Sequence, residues 1–575
     1  MGKARRLLGF VCQGPDDAVP RQSRLLNFHV AIRKGVAFML KKRTWCLPLV
    51  AGLLASPALA RPAQRPLPQL VQRDGRHGLL VDGKPYLVLG AQVNNSSAWP
   101  EMLPKVWPAI RFIHANTVEM PVYWEQFEPR PGVFDYSVVD TLIEQSRKND
   151  VRLILLWFAT WKNGSPHYVP LWMKHDQARF PRLIGAEGRA VDSASPFSTE
   201  RLEADKRAFT ALMRHLKQVD PQRTVIMVQV QNEAGTWGAV RDHSPAARKA
   251  FASPVPTEVL AAMNKQPGHP GAAWSEVFGK DADEFFHAWA VARFIGEVAA
   301  VGKKEYPLPL FVNAALRDPI SPGPAGTYES GGPTDNVLPI WKAAAPAIDI
   351  LAPDIYMNDH AKVQRILELY GRPDNPLFIP EISNAPEYAR FFFSALGQQA
   401  IGFAPFGVDY TGAENFPLGA KQVNEETLKP FALNYQLVGP MMRELAQLAL
   451  DGKLKTATEQ KGTPAQKLDL GGWKVDVIYG VGQFGFGNNP PGNPEPIGRV
   501  LVAELGANQF LVTGFHCRVD FQASGAARRE YLRVEEGVYE EGTFKVLRIW
   551  NGDQTDWGLN FTSAPQVLRV TLGTY

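Results

Sequence analysis

Between residues 85 and 406 the sequence alternates short apolar runs with longer amphipathic or irregular stretches, and it does so eight times in succession. Short apolar runs bounded by turn residues are typical of buried strands, and strands that alternate with helical patterns are typical of βα units. Eight such units predict an α/β chain that closes into a (β/α)8 TIM barrel. The predicted strands are 86–93, 116–121, 152–158, 224–231, 310–313, 348–355, 377–381 and 400–406.

The linking segments support this prediction. Residues 137–148 place Val138 and Leu142 at helical spacing, with Ser137 and Asp140 arranged as a capping box. A second helix is predicted before "DPQR", and residues 243–281 form a large insertion.

The pattern changes after residue 423. A last helical stretch at 439–450 is followed by strand-like runs separated by turn signals, which predict a carboxy-terminal antiparallel β-sandwich of jelly-roll type. The predicted domains are a barrel at 61–422 and a sandwich at 423–575. The predicted sandwich strands are 473–479, 499–504, 509–513, 531–538, 543–550 and 566–572.

The first 60 residues resemble an export signal behind an extra segment. Basic residues at 41–43 precede an apolar run and the small-residue site Ala58-Leu59-Ala60, which predicts cleavage after Ala60 and an exported, periplasmic or secreted protein. The natural start is Met39, so residues 1–38 are best explained by a mis-assigned start codon. The alternative is a membrane anchor, although the apolar run is short for a span.

Cleavage changes the charge of the chain. Residues 1–60 hold 10 of the 62 basic and 2 of the 57 acidic residues, so the net charge falls from +5 to −3 and gives no argument for nucleic acid as a partner. Only Cys517 remains after cleavage, which excludes an intrachain disulfide in the exported protein.

Two predicted strands end on carboxylates. The fourth, in "VIMVQVQNEAGTWG", ends at Asn232 and Glu233, and the seventh, in "LFIPEISNAP", ends at Glu381. Carboxyl ends of barrel strands form the active-site mouth, and a buried carboxylate there is costly unless it is paired or functional. Two such groups in one mouth are the minimal machinery for glycoside hydrolysis. A salt-bridge partner is the alternative for either residue alone.

Several motifs resemble glycoside hydrolase family 35, the clan A β-galactosidases. "VQVQNEAG" is similar to the family's "VQVENEYG" type of segment, and "GLLVDGKPYLVLGAQ" and "VYWEQFEPRPGVFDY" are similar to its first two strands. The similarity spans about residues 77–410. The segments "LLVDGKPYLVLGAQVNNSSAWPEMLPKVW" and "LLWFATWKNGSPHYVPLWM", at the first and third predicted strands, are most similar to a bacterial subgroup that includes xyloglucan side-chain β-galactosidases. Glu125 stands where the family has Asn, and Ala234 where it prefers Tyr, which puts sugar selectivity in question.

The resemblance implies roles for four residues. Glu233 would be the general acid and then base, Glu381 the nucleophile, Asn232 a partner of the sugar 2-hydroxyl, and Tyr356 in "LAPDIY" a support for Glu381. It also implies a retaining reaction, which requires carboxyl groups about 5 to 5.5 Å apart and a Glu233 that holds a proton near neutral pH.

Other polar and aromatic residues follow predicted strands and are candidates for contact with the sugar. Tryptophan rings stack on the C–H faces of sugars, although core packing is the alternative for each of them. Glu125 is also a rival carboxylate, ranked lower because it does not end a strand. The candidates are Asn94, Asn95, Trp124, Glu125, Trp161, Lys162, Asn163 and Trp237.

The sequence contains no H-E-x-x-H, paired-cysteine or G-x-S-x-G motif, so we expect neither a metal nor another cofactor. The best hypothesis is an exo-acting retaining β-galactosidase acting on plant-type oligosaccharides. Another β-glycosidase of the clan, an endo-glycanase and a non-catalytic carbohydrate-binding barrel remain as alternatives. The oligomeric state stays open.

Overall fold

The computed structural model describes residues 65–484, 490–540 and 542–575. The predicted signal, its cleavage site and the start at Met39 lie outside these residues. The described chain begins with a small antiparallel sheet, in which the middle strand pairs with both neighbours. Its strands are β1 (Gln69–Arg73), β2 (Arg76–Val81) and β3 (Lys84–Tyr86).

Eight parallel strands then close into a barrel, so the predicted (β/α)8 fold is confirmed. The ring closes where the last strand pairs with the first, Gly402 opposite Val88. The strands are β4 (Val88–Gln92), β5 (Thr117–Tyr123), β6 (Arg152–Lys162), β9 (Val225–Asn232), β10 (Leu310–Ala315), β11 (Ile350–Ile355), β12 (Ile379–Ile382) and β13 (Gly402–Pro405), with a separate hairpin of β7 (Arg182–Ile184) and β8 (Ala190–Ala194).

Strand residues are buried on both faces, as expected when helices cover the outside of a parallel sheet. Gly90 in β4 is required by close packing, because a Cβ atom there would lie 2.7 Å from Ala404 Cβ. The helices before the insertion are α1 (Leu103–Phe112), α2 (Trp124–Phe127), α3 (Ser137–Lys148), α4 (Leu171–Lys174) and α5 (Thr199–Val219).

The predicted capping box on α3 is wrong. Tyr136 occupies the N-cap position, and the Ser137 N–H bonds instead to Asp135 Oδ1 at 2.9 Å. Asp135 satisfies the first free N–H of the helix from outside it, so Ser137 already lies within the first turn. The helix itself is present at the predicted residues.

The predicted insertion is helical and leads into a long core helix. The remaining helices are α6 (Pro245–Phe251), α7 (Thr257–Ala262), α8 (Trp274–Phe278), α9 (Ala282–Glu305), α10 (Leu338–Ala344), α11 (His360–Tyr370), α12 (Phe391–Gly397), α13 (Glu425–Val438) and α14 (Met442–Leu450). Residues 274–305 have the length and apolar composition to cross a membrane, but 67% of their most apolar window is buried inside the fold, as in the core helix of a soluble domain.

Two antiparallel sheets follow the helices and enclose a second core, as the sequence predicts for the sandwich. One sheet has the order β14-β17-β18-β23-β20-β21 and the other β15-β16-β19-β22, where the strands are β14 (Leu454–Thr458), β15 (Ala465–Leu470), β16 (Trp473–Tyr479), β17 (Arg499–Gly506), β18 (Gln509–Phe515), β19 (Cys517–Gln522), β20 (Arg529–Glu540), β21 (Thr543–Trp550), β22 (Leu559–Phe561) and β23 (Val567–Thr574).

The six-stranded sheet packs on the barrel through its outer face. Leu501 and Phe515 belong to the same apolar core as the barrel helices, and the buried Arg499 donates to Asn434 Oδ1 at 2.9 Å. Tyr435 of α13 donates its hydroxyl hydrogen bonds to backbone oxygens of β4 and β13. The helices between residues 425 and 450 therefore pack against the barrel, on the sandwich side of the predicted domain division at 422.

Candidate active site

The mouth of the barrel is built from the carboxyl ends of its strands. Asn232 is the last residue of β9, and Glu233 follows it with a left-handed backbone at φ 42°. A glutamate in this conformation costs on the order of 1 kcal/mol or more and is maintained only where its surroundings hold it. Here the Glu233 N–H donates to Asn313 Oδ1 of β10 at 2.9 Å, which fixes the direction in which the side chain leaves the strand.

Glu381 lies on β12 and is buried. Its Oε1 accepts a hydrogen bond of 2.5 Å from the Tyr356 hydroxyl, and its Oε2 accepts one of 3.0 Å from Gln92 Nε2. Hydrogen bonds donated to both oxygens stabilise a negative charge on this carboxylate. Tyr356 follows β11, so three strands converge on one carboxylate.

The carboxylates of Glu233 and Glu381 are neighbours, and Asp354 of β11 is the third member of the group. One oxygen from each lies within 4.8 Å of the other two. Burial and the negative charge of Glu381 raise the pKa of Glu233 to about 7, against the opposing effects of Lys162 and of a hydrogen bond with Asp354. Burial, followed by the charges of Glu381 and Glu233, also raises the pKa of Asp354 well above its ordinary value.

These groups line a cavity of about 360 Å³, which lies in the usual size range of small-ligand sites. Lys162 is buried at the edge of the cavity, donates to Asn163 and lies 5.2 Å from the centre of the Phe158 ring. Seven of the residues predicted from the sequence meet in this cavity: Asn95, Lys162, Asn163, Glu233, Trp237, Tyr356 and Glu381.

Four other predicted contacts lie outside the cavity. Asn94 is bonded through its backbone N–H and its side-chain amide to Asp409, whereas the neighbouring Asn95, also predicted, lines the cavity. Glu125 forms an ion pair with Lys174 at 2.9 Å. The two remaining residues are tryptophans, Trp124 and Trp161.

Both tryptophans are fully buried. Trp124 donates to Glu128 Oε2 at 2.8 Å and packs against Trp157, whereas the ring of Trp161 meets Phe294 edge-on at 4.9 Å. Both rings are therefore packed in the core, which is the alternative to sugar contact considered for each tryptophan. Trp237, by contrast, is 50% exposed and lines the cavity.

Asn232 is a fifth predicted residue that does not line the cavity; it is fully buried directly before Glu233, and neither atom of its side-chain amide has a hydrogen-bond partner among the described residues. An unsatisfied buried amide costs about 1–3 kcal/mol. Such a group is available to a ligand that brings its own donor and acceptor, as a sugar hydroxyl does.

Two carboxyl groups of the cavity were missed by sequence reasoning. Asp354 is the penultimate residue of β11 in "LAPDIY", and the rule that polar residues at strand ends reach the mouth could have identified it. Glu329 comes from the long loop between β10 and α10, where no strand pattern marks its position.

Glu329 is buried, and neither of its oxygens accepts a hydrogen bond of good geometry within the described parts of the chain, although the Trp237 side chain lies close enough to lower its pKa. Burial and the charge of Glu233 raise its pKa well above the ordinary value. Two glycines make room for it: a Cβ atom at Gly164 would lie 2.3 Å from Glu329 Oε1, and one at Gly235 would lie 2.8 Å from its Cγ. Gly235, which directly follows the Ala234 that departs from the family pattern, therefore lies where this fourth carboxyl group enters.

The oxygens of Glu233, Asp354 and Glu381 are also close enough together to hold a cation. Glu381 already accepts two hydrogen bonds, and Asp354 accepts one from Asn313, so their surroundings suit acid chemistry without a metal. The absence of a metal cofactor stays a prediction.

Comparison with known proteins gives partial matches. Residues 97–291 match the glycoside hydrolase family 42 model, described as beta-galactosidase, and residues 431–562 match a domain of unknown function, DUF5597. A beta-galactosidase from Xanthomonas manihotis is 30% identical over 213 residues, which are 34% of this chain and 31% of that protein. The match thus covers about a third of the length of this curated relative.

The chain also matches solved structures of beta-galactosidases from Bacillus circulans sp. alkalophilus and Marinomonas ef1 in part. They are 12% and 14% identical, cover 62% and 63% of this chain and 57% and 61% of their own chains, and each gives a TM-score of 0.46. The resemblance to family 35 is not confirmed, because the matching model is that of family 42. The sequence comparisons support a clan A glycoside hydrolase of the β-galactosidase type, and the matched part of the barrel is similar to that class of enzyme.

Proposed function

We propose that this protein is an exo-acting, retaining β-galactosidase that hydrolyses terminal β-linked galactose by double displacement. The observation that carries the proposal is the spacing of Glu233 and Glu381, whose nearest oxygens lie within 4.8 Å. Retaining glycosidases hold their two carboxyl groups about 5–5.5 Å apart, whereas inverting ones leave about 6.5–9.5 Å for a water molecule.

In the first step Glu233 gives its proton to the glycosidic oxygen while Glu381 attacks the anomeric carbon. The bond from C1 to the leaving oxygen breaks, a bond from C1 to Glu381 forms, and the alcohol departs neutral. In the second step Glu233 removes a proton from water, and the water oxygen replaces Glu381 at C1. The raised pKa of Glu233 supports the first role, and the two donors on Glu381 support the second.

Asn232 is proposed to bond the sugar 2-hydroxyl, since its buried amide has no partner within the described residues. An interaction of this kind strengthens in the transition state and so raises kcat. Tyr356 is proposed to orient Glu381 through its hydrogen bond. Trp237, Lys162 and Asn163 are proposed to contact the sugar from the rim of the cavity.

The exo mode is supported by the shape of the site. A cavity of about 360 Å³ accommodates a terminal sugar unit rather than a long stretch of polysaccharide. Galactose is the proposed sugar because the family model and the curated relative are both described as beta-galactosidase. A xyloglucan-type oligosaccharide is the proposed substrate on the resemblance of the first and third strand segments, and export is proposed on the leader.

The test is hydrolysis of 4-nitrophenyl β-galactoside by the wild type, Glu233→Gln and Glu381→Gln, with the anomer of the product followed by NMR. We expect both variants to lose about 10³-fold or more in kcat and the wild type to release β-galactose first. Undiminished turnover in either variant, or release of the α anomer, would contradict the proposal.

A panel of aryl glucosides, mannosides and galactosides, together with galactosylated xyloglucan, tests the sugar. Preference for another sugar would leave the two-carboxylate mechanism intact and replace the proposed substrate. Internal cleavage of the polysaccharide would exclude the exo mode. Sugar binding with no turnover on any member of the panel would favour the non-catalytic alternative.

A further inference from the structure

Asp354 is a buried carboxyl group inside the proposed site that neither of the two catalytic roles uses. It lines the cavity, and one of its oxygens lies within 4.8 Å of oxygens of both Glu233 and Glu381. Its Oδ2 accepts a hydrogen bond of 2.6 Å from Asn313 Nδ2. Its Oδ1 is buried and has no donor directed to it from the described residues.

Asn313 fixes how Asp354 can bond. The Glu233 N–H can only donate, so the atom of Asn313 that it contacts must be the amide oxygen. The other end of the amide is then the NH₂ group, which donates to Asp354 Oδ2. The same side chain therefore holds both the backbone of Glu233 and the carboxyl group of Asp354, and it leaves Oδ1 as the free oxygen of Asp354.

Three carboxyl groups this close cannot all be ionised, because like charges at such distances repel strongly in a site that excludes water. Glu381 receives two donors that stabilise its charge, whereas Asp354 receives one neutral amide donor. Two carboxyl groups can share a hydrogen bond only if one of them carries a proton. Burial and the neighbouring charges, which raise the pKa of Asp354, agree with the proton lying there.

We propose that Asp354 is a positioning residue for the acid, which keeps its own proton and donates a hydrogen bond to the carboxyl group of Glu233. This inference rests on the proposed function. As Glu233 gives its proton to the leaving oxygen, negative charge forms on Glu233, and the Asp354 hydrogen bond stabilises that charge. Asp354 ends the step with the proton it started with, so the balance of the double displacement is unchanged.

The test compares Asp354→Ala with Asp354→Asn, since asparagine retains an N–H donor of nearly the same shape. We measure kcat/KM on 2,4-dinitrophenyl β-galactoside, whose leaving group needs no proton, and on 4-methoxyphenyl β-galactoside, whose leaving group does. Asp354→Ala should lose about 100-fold on the methoxyphenyl substrate and less than about fivefold on the dinitrophenyl one. Asp354→Asn should stay within about fivefold of the wild type on both.

The pH profile gives a readout that a merely structural role would not move. Without the donor the anion of Glu233 is less stable, so the alkaline limb of kcat/KM should move to higher pH in Asp354→Ala and much less in Asp354→Asn. Glu381, Lys162, Glu329 and Tyr356, the other titratable groups around Glu233, are unchanged in both variants. A limb that moves to lower pH in both variants would mean that Asp354 is ionised, and this would overturn the proposal.

Asp220→Ala is the matched structural control, because this aspartate is also buried but lies at the opposite end of the barrel, bonded to Thr224 and Val225. It should lower stability without changing the ratio of the two substrates. Equal losses on both substrates in Asp354→Ala would overturn the proposal. If Glu233→Gln and Glu381→Gln are fully active, the proposed function fails instead, and the two failures are thereby distinguished.

Discussion

The two ends of the barrel use the same kinds of polar side chain in opposite ways. At the amino ends of the strands, four buried or partly buried residues each accept a hydrogen bond from a backbone N–H near the start of a strand: Asn116, Asp220, Asp349 and Asn375. The distances lie between 2.7 and 2.9 Å. At the carboxyl ends, Asn232, Glu329 and Asp354 each keep at least one buried oxygen without a partner in the described chain.

This difference separates stability from function. A buried amide whose hydrogen bonds are satisfied stabilises the fold, because its removal leaves the backbone groups that it bonds without partners. An unsatisfied one destabilises the fold until a ligand supplies the missing partners, and such groups are therefore expected at a binding site. Similar substitutions at the two ends should therefore affect different properties: activity at the carboxyl ends of the strands, and stability at the amino ends.

Among the asparagine substitutions, Asn232→Ala should have the largest effect and should act on activity alone. We expect kcat/KM for an aryl β-galactoside to fall by about 10²–10³-fold, because the proposed bond to the 2-hydroxyl is strongest in the transition state. The urea midpoint should change little, since the amide has no partner among the described residues to lose. A large loss of stability with normal kcat/KM would show that Asn232 is a structural residue.

Asn375→Ala is the same substitution at the opposite end, where it should act on stability alone. The side chain accepts from the Leu351 N–H and donates to the oxygens of Leu351 and Tyr370, each at 2.9 Å. We expect a loss of about 2–4 kcal/mol in the free energy of unfolding, measured by urea denaturation, because buried backbone groups are left unpaired. Activity per folded molecule should stay near that of the wild type, and a 10²-fold loss would remove the distinction between the two ends.

The sequence predicts the barrel strands and the two glutamates at their ends, but not every side chain of the barrel mouth. The eight strands appear as apolar runs because both faces of each strand are buried, and Glu233 and Glu381 were found because strand ends reach the mouth. Glu329 was not found, since it comes from a loop whose position depends on glycines elsewhere in the chain. Trp124 and Trp161 follow strands as Trp237 does, but sequence position alone does not decide which rings turn into the core.

Glu233 also makes the stability of the fold depend on pH. Its pKa is raised to about 7 in the folded protein, so the unfolded chain loses this proton at lower pH than the folded one. The contribution to stability is therefore full below about pH 4.5 and is lost as the pH rises through about 7. Over this range the free energy of unfolding of the wild type should fall by up to about 2 kcal/mol relative to that of Glu233→Gln. The fall is limited to this size because the Glu233 side chain is partly exposed to solvent.

Urea denaturation of the wild type and Glu233→Gln at several pH values measures this difference. Asp349→Asn is a suitable comparison from the amino end, where the carboxylate accepts from the Leu310 N–H and pairs with Lys303. A difference between the wild type and Glu233→Gln that does not vary between pH 4.5 and 8 would contradict the assignment of a raised pKa to Glu233.

The smallest effect is expected at the rim, where Trp237 is half-exposed and lines the cavity. Trp237→Ala should raise KM about tenfold with little change in kcat, because stacking on a sugar contributes about 1 kcal/mol and is present before and during the reaction. Trp237→Phe keeps an aromatic face and should restore most of the affinity.

Trp161→Ala, which removes a fully buried ring, should instead destabilise the fold by about 3–5 kcal/mol. If Trp237→Ala also lost stability on that scale, the exposed ring would be part of the core and the sugar platform would have to be sought elsewhere on the rim.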